Sequence, residues 1–124
     1  MKRRLRKLKV VKGKGRGKRI GMPTVNFDSS DIQDLDHGVY FCKVFVPDMY
    51  WGVMHFGPRP TFDEQNPSLE VHLFDFNNSQ AVPDEMDLEI HSLIRGIVKF
   101  NSLDEMLEKI NEDIRLAKKL INSS

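Results

Sequence analysis

Apolar and polar residues alternate with a period of two over several parts of the chain, which is typical of strands with one buried and one wet face. The alternation is clearest at 86–91, and β-branched and aromatic residues fill 38–46 between a glycine and Pro47-Asp48. These features predict strands at 38–46, 50–57, 68–76 and 87–95. Two shorter extended pieces are also predicted. One follows the basic segment 1–9 and ends at Val11, and the other covers 25–27.

The spacing of apolar residues changes near the C-terminus. They recur there every three or four positions and so fall on one face of a helix, which is predicted over 102–121. Ser102 and Glu105 form a capping box at its start. Because the predicted strands follow one another without intervening helices, their order favours a closed or nearly closed antiparallel barrel on which the helix packs. The predicted apolar stripe consists of Leu103, Leu107, Ile110, Ile114, Ala117 and Ile121.

The composition is that of an ordinary globular domain. The chain has 124 residues, 40% hydrophobic and 30% charged, which predicts one domain over 1–124. The single cysteine, Cys42, excludes a disulfide framework and is expected to be a buried thiol. No apolar run reaches membrane-spanning length and no signal peptide is visible, so a cytoplasmic, monomeric protein without a membrane partner is expected.

The net charge of +1 hides an uneven distribution. Residues 1–19 carry eleven Lys or Arg and no acid, whereas the rest carry eight Lys or Arg and eighteen acids, a balance of −10. A basic arm on an acidic body predicts an anionic partner such as phosphate or nucleic acid. A solubilising tail that the body partly neutralises explains the same charges, and the composition does not separate the two interpretations.

The segment 13–26 combines glycines and interleaved cations with a Pro-Thr-Val-Asn sequence. Glycines let successive backbone N–H groups form an anion-binding nest, which the cations would surround with positive charge. Thr24 and Asn26 add hard oxygens of the kind that Mg²⁺ prefers. The segment therefore predicts a loop that holds a metal-bound polyphosphate. Because it matches neither standard nucleotide-binding motif, a basic turn that binds nucleic acid loosely, or nothing, is an equal alternative.

Glu70 is the acidic residue whose position suggests catalysis. On the predicted strand 68–76 it shares one face with His72, Phe74 and Phe76, and the intervening residues point the other way. A carboxylate beside two phenyl rings should be partly desolvated, which prepares it to act as a general base. The alternative is a glutamate at the rim with its carboxylate in water. The four histidines lie on different predicted elements without ligand spacing, which argues against a zinc site.

Four segments of the chain match a known family in order and at similar separations. They are G-R-G-K-R-I-G-M-P-T-V-N at 15–26, G-V-Y at 38–40, G-P-R-P-T-F at 57–62 and L-E-V-H-L-F-D-F at 69–76. Arg95, Lys99-Phe100 and Ser102-Leu103 are similar to the family's closing R-x-E-x-K-F-x-S-L. In these segments, over about residues 10–120, the chain resembles riboflavin kinase, both the monofunctional eukaryotic type and the C-terminal kinase domain of bacterial bifunctional FAD synthases.

The resemblance implies a mostly β fold, a six-stranded antiparallel Greek-key barrel with a C-terminal helix. It implies transfer of the γ-phosphoryl of ATP to the ribityl 5′-hydroxyl of riboflavin, giving FMN and ADP, with Mg²⁺ (or Zn²⁺ or Mn²⁺) as cofactor. Glu70 would receive the hydroxyl proton, and Thr24 and Asn26 would hold the metal. The nucleotide would lie against Gly13, Gly15, Gly17, Lys18, Arg19, Gly21, Pro23, Thr24 and Asn26. The isoalloxazine ring would contact Arg95, Phe100, Leu103 and Leu107.

Two positions on the flavin side depart from the family's pattern. The Tyr-Gly that usually follows D-F is replaced at 77–83, and Ile97 stands where the family has Glu. A non-catalytic barrel that binds flavin, nucleotide or nucleic acid is therefore the alternative function, although nucleic acid is not an expected partner. The nucleotidyltransferase domain of the bacterial enzymes does not occur in these residues, so the chain alone is not expected to make FAD.

Overall fold

The computed structural model describes residues 2–12, 23–30, 32–46, 48–76 and 82–122. Its strands are β1 (Arg3–Val11), β2 (Thr24–Phe27), β3 (Gly38–Val46), β4 (Asp48–Arg59), β5 (Glu64–Leu73) and β6 (Glu85–Arg95). A 3₁₀ turn (Pro60–Phe62) joins β4 to β5, and one long helix, α1 (Leu103–Ile121), follows β6. The strands close into a barrel in the order β1-β2-β5-β4-β3-β6. The predicted antiparallel barrel with a C-terminal helix is confirmed.

The barrel has Greek-key connections. β3, β4 and β5 pair as consecutive antiparallel neighbours, and β6 returns to pair with β3. The predicted strand bounds differ from the observed ones at β4, at β5 and at β6, which begins at Glu85 rather than at residue 87. The third predicted strand, 68–76, is β5 and begins at Glu64, because β4 and β5 stay paired as far as Arg59 and Glu64. β4 begins at Asp48, which leaves only Pro47, outside the described residues, between it and β3.

Alternate positions on the strands form two separate apolar clusters. The first fills the barrel and includes the fully buried residues Cys42, Met54 and Leu88. The predicted buried free thiol at Cys42 is confirmed, and burial raises its pKa. The second cluster lies outside the barrel, where α1 covers outward-facing residues of β3 and β4. It consists of Val39, Phe41, Val53, Phe74, Met106, Ile110, Ile114 and Ala117.

The two phenylalanines after β5 lie on opposite sides of the barrel wall. β5 ends at Leu73, and Asp75 takes a left-handed conformation with φ 59°, which breaks the alternation. Phe74 therefore packs under α1, whereas Phe76 enters the barrel core and meets Tyr50 edge-on. The prediction that Phe76 shares a face with Glu70 is wrong for this reason.

The start of α1 follows the predicted capping pattern. The Ser102 side chain accepts from the backbone N–H of Glu105 at 3.1 Å, and Glu105 Oε2 accepts from the N–H of Asn101 at 3.0 Å. The predicted apolar stripe is wrong at its N-terminal end. Leu103 is 37% exposed, because Met106 takes the inward position in the first turn.

Acids of β6 partly neutralise the basic N-terminal strand. Arg4 Nη2 pairs with Asp87 Oδ2 at 2.9 Å, and the N–H of Lys7 donates to Asp87 Oδ1 at 2.9 Å. The Cα register also sets Arg4 opposite Glu89 and Lys9 opposite Glu85. These contacts build β1 into the barrel wall, so residues 3–11 are structural rather than a free basic arm.

Candidate functional site

Polar side chains converge on the outer face of the barrel, where β2, β5 and β4 lie side by side. Asn26 is directly opposite Glu70, and Glu70 is opposite His55, so the three form one cross-strand row. Thr24 and His72 are opposite each other in the next row. Because the residues between them in sequence belong to the barrel core, these five side chains share the outer face.

Glu70 forms a buried ion pair with Arg59. Arg59 Nη2 donates to Glu70 Oε2 at 2.6 Å, and the two residues are 9% and 5% exposed. Glu70 is therefore buried, which agrees with the desolvated interpretation and not with the alternative of a rim carboxylate in water. The guanidinium is what makes this burial tolerable, because an unpaired carboxylate in the protein interior loses its hydration without compensation.

Two buried histidines beside the ion pair are held neutral. His55 Nε2 donates to the carbonyl oxygens of Gly57 and Pro58 at 3.2 and 3.1 Å. Burial and the positive charge of Arg59 lower the pKa of His55 from 6.5 to about 3. The same two causes lower the pKa of His72 to about 4. Both imidazoles are uncharged near neutral pH, so the cation that pairs with Glu70 is Arg59.

The buried His55 predicts a loss of stability in mild acid. Its pKa is about 3 in the folded protein and 6.5 ordinarily, so below pH 6.5 the unfolded chain binds a proton that the folded protein does not. The free energy of unfolding should therefore fall as pH drops through this window, by roughly 2 kcal/mol at about pH 5 from this group alone. Urea titrations at neutral and mildly acidic pH, on wild type and on His55→Gln, measure it. An equally steep pH dependence in His55→Gln would contradict this assignment.

An open groove of about 260 Å³ lies on one side of Glu70. Asn26 and Glu70 line it together with Lys12, the last described residue before 13–22. The groove therefore begins where the predicted phosphate-binding segment leaves β1. Of the residues predicted to bind the nucleotide, Gly13, Gly15, Gly17, Lys18, Arg19 and Gly21 lie outside the described residues. Pro23 opens the next described segment, and its carbonyl oxygen accepts from the N–H of Leu73 at 2.9 Å.

Thr24 and Asn26 are the two predicted metal ligands, and the structure describes both. They are two positions apart on β2 and so project from the same face. No group of three or more His, Cys, Asp or Glu within the described ranges could hold a metal by itself. Two neutral oxygens beside one carboxylate fit Mg²⁺ or Mn²⁺ shared with substrate phosphates. They fit zinc poorly, since zinc prefers imidazole and thiolate ligands.

A second, smaller pocket borders the Arg59 side of the ion pair. His55 and Arg59 contribute to its wall, which connects it with the outer-face row that contains Glu70. The rest of the wall comes from the 3₁₀ turn, the segment after β6 and α1. These residues are Pro60, Thr61, Phe62, Arg95, Ile97, Val98, Phe100, Met106 and Ile110.

Two of the four predicted flavin-contacting residues lie at this pocket. Arg95 and Phe100 line it, whereas Leu103 and Leu107 do not. The reason is the orientation of α1, whose inward-facing side at the pocket is occupied by Met106. Ile97, where the resembling family has Glu, is also in the wall.

Contacts between its walls keep this pocket small. Arg95 donates to the Asp113 carboxylate from Nε and Nη2 at 2.9–3.0 Å, and its guanidinium lies 5.7 Å from the Phe100 ring centroid. The N–H of Phe100 donates to Thr61 Oγ1 at 3.0 Å. The cavity measures about 20 Å³, which is room for about one water molecule. A three-ring aromatic ligand can enter only if the segment around Phe100 and the 3₁₀ turn separate.

Sequence reasoning missed three residues that shape this site: Arg59, His55 and Asp113. Arg59 stood inside the matched segment 57–62 but was assigned no role. Asp113 lies between Ile110 and Ile114, on the buried side of α1, at 3% exposure. A carboxylate on a buried helix face signals a buried cationic partner, here Arg95, and that signal was available in the sequence.

Across the part of the chain that the structure covers, no helix has the length and apolar character needed to cross a membrane.

Comparison with known proteins identifies what this barrel is similar to. A family model described as riboflavin kinase (flavokinase) matches residues 5–121. A bifunctional riboflavin kinase/FMN adenylyltransferase of Haemophilus influenzae is 36% identical over 118 residues, covering 93% of this chain and 38% of that protein. The riboflavin kinase of Homo sapiens is 29% identical over 117 residues, covering 89% of this chain and 76% of that protein. The chain spans 17% to 38% of the length of three bacterial relatives that it matches.

Comparison with solved structures also finds this fold in a known protein. It is described as a macrolide-efflux protein from Streptococcus pneumoniae and aligns with a TM-score of 0.73 at 29% identity. The alignment covers 94% of this chain and 38% of that one, so the whole barrel and helix correspond to a part of a larger protein.

Proposed function

Because this chain belongs to the riboflavin kinase family, we propose that it transfers the γ-phosphoryl group of ATP to the 5′-hydroxyl of the ribityl chain of riboflavin. The products are FMN and ADP. One observation carries the proposal: Glu70 lies between two sites. It lines the open groove with Asn26, and it is ion-paired with Arg59, which lines the second pocket. A transfer between two bound substrates needs this arrangement, with the proton acceptor where they meet.

Glu70 is the proposed general base. Its carboxylate accepts the proton of the ribityl 5′-hydroxyl as the oxygen forms a bond to the γ-phosphorus, and the bond from that phosphorus to the bridging oxygen of ADP breaks. Arg59 holds the carboxylate by one oxygen and keeps a counter-charge next to it. A positioned base of this kind contributes roughly 10²–10⁴-fold to a rate.

The nucleotide is proposed to lie in the open groove, with its phosphates against Lys12 and the loop 13–22 and with Pro23 at the end of that loop. Thr24 and Asn26 would hold Mg²⁺ in common with the phosphates, and the ion would neutralise the charge that develops during transfer. Lys18 and Arg19 add positive charge in the same loop, which supports the assignment from sequence.

The flavin ring is proposed to enter the second pocket. Arg95 and Phe100 are retained as its contacts, and Thr61 and Ile97 join them because they line the same wall. Leu103 and Leu107 are left out, since they belong to another part of the α1 surface. Opening of the segment around Phe100 is then part of riboflavin binding, because the cavity of about 20 Å³ is too small for the ring.

The protein is further proposed to act as a cytoplasmic monomer with one domain. A buried free thiol agrees with a reducing compartment. The pairing of β1 with both β2 and β6 closes the barrel, so no open sheet edge demands a second copy. Light scattering after size exclusion measures the mass in solution directly.

Incubation with riboflavin, ATP and Mg²⁺ tests the proposed reaction. Chromatography should resolve FMN and ADP, formed in equal amounts and only when all three components are present. Quenching of riboflavin fluorescence on binding, without formation of FMN, would favour a barrel that binds flavin but does not catalyse its phosphorylation. Salt-dependent binding of DNA or RNA, without turnover, would favour a nucleic-acid-binding protein.

A further inference from the structure

We propose that His72 is a positioning residue that directs the hydroxyl oxygen of Thr24 toward the metal-bound nucleotide. The inference rests on the proposed function, in which Thr24 holds the metal. Thr24 Oγ1 and His72 Nδ1 lie 3.0 Å apart, within hydrogen-bonding distance. The two residues are directly opposite each other in the β2–β5 register, and His72 is 3% exposed. The buried imidazole therefore lies beside the hydroxyl on the same face of the sheet.

The direction of the hydroxyl proton decides what the Thr24 oxygen can bind. A threonine hydroxyl has one proton and two lone pairs. When the proton points toward an acceptor in the sheet, the lone pairs face the open side and attract a cation. When it points outward, it repels a cation. An imidazole nitrogen that carries no proton accepts a hydrogen bond, so His72 Nδ1 can provide the acceptor that sets the first orientation when the ring proton is on Nε2.

The neighbouring cross-strand row, Asn26 and Glu70, is arranged in a similar way. Asn26, the other proposed metal residue, stands opposite Glu70 just as Thr24 stands opposite His72. β5 therefore places a polar residue opposite each proposed ligand on β2. Partners of this kind orient metal ligands in proteins, and their loss typically costs about 10–100-fold in metal affinity.

A pair of variants separates the orienting role of His72 from its volume. His72→Leu removes the acceptor and fills the space with an apolar side chain of similar size. His72→Asn keeps an oxygen near the position of Nδ1. Binding of Mn²⁺ to the protein–ADP complex, followed by electron paramagnetic resonance, should weaken about 10–100-fold in His72→Leu and largely recover in His72→Asn. Thermal unfolding of both variants checks that they fold, and ADP affinity without metal should equal that of wild type.

The Thr24→Val background separates failure of this inference from failure of the proposed metal site. If Thr24 is the ligand and His72 acts through it, His72→Leu adds no further loss of Mn²⁺ affinity in Thr24→Val. Wild-type Mn²⁺ binding in His72→Leu, alongside weakened binding in Thr24→Val, would overturn the role of His72 alone. Wild-type binding in Thr24→Val would overturn the metal site and the inference together. Equal losses in His72→Leu and His72→Asn would also overturn the orienting role.

Discussion

Replacing Glu70 by glutamine is expected to reduce kcat for FMN formation by about 10²–10⁴-fold. Glutamine keeps the size of the side chain and an oxygen that can accept from Arg59, but it cannot take the proton of the ribityl hydroxyl. The affinity for ADP should change little, because Glu70 acts beside the γ-phosphoryl group and ADP lacks that group. Steady-state rates by chromatography and ADP affinity by calorimetry provide the two measurements.

Glu85→Gln is the matched control for this change. Glu85 is an exposed carboxylate at the start of β6 and lies outside the linings of both pockets. Its replacement removes the same charge from the chain and should leave kcat unchanged. The unfolding midpoint of Glu70→Gln is measured as well, since Arg59 loses its counter-charge. A stable Glu70→Gln protein with near-wild-type kcat would show that Glu70 does not accept the proton of the ribityl hydroxyl.

Replacing Arg59 by methionine is expected to destabilise the fold by about 3–5 kcal/mol. Methionine fills the space of the arginine stem, but the Glu70 carboxylate is left buried without its guanidinium partner. The double variant Arg59→Met/Glu70→Leu removes both charges and should recover most of the lost stability. Urea unfolding followed by the fluorescence of Trp51, the single tryptophan, measures both.

Arg4→Met is the control for an ion pair in a different environment. The Arg4–Asp87 pair has a similar geometry, at 2.9 Å, but its side chains are 38% and 25% exposed. Breaking it should cost no more than about 1 kcal/mol, because water screens and replaces the interaction. If Arg59→Met were no more destabilising than Arg4→Met, or if the double variant recovered nothing, burial of the Arg59–Glu70 charges would not be the dominant effect.

The fold followed from patterns that are local in the sequence. Alternation predicted most strands, and the change to a three-and-four spacing predicted the helix, because each pattern reflects one buried face. The errors occurred where the backbone leaves regular geometry. Asp75, at φ 59°, sends Phe76 into the core, and the capped start of α1 leaves Leu103 exposed. The alternation of apolar and polar residues does not show where the backbone leaves regular strand or helix geometry.

The candidate site was only partly accessible from sequence. Thr24, Asn26 and Glu70 were singled out, and the structure brings them onto one face, because β2 pairs with β5 in that register. The partner of Glu70 was not predicted. Arg59 lies eleven positions away, and its contact depends on the hairpin register of β4 and β5 together with the bulge after Gly57. Two flanking prolines also made the segment look like a turn rather than the end of a strand.

Transfer of label from γ-³²P-ATP measures phosphorylation of riboflavin itself. With riboflavin and Mg²⁺ present, we expect the label in FMN in the same amount as ADP is formed, and we expect Glu70→Gln to nearly abolish both. Label released only as inorganic phosphate would contradict the proposed reaction, and labelled FMN formed at an undiminished rate by Glu70→Gln would contradict the role of Glu70.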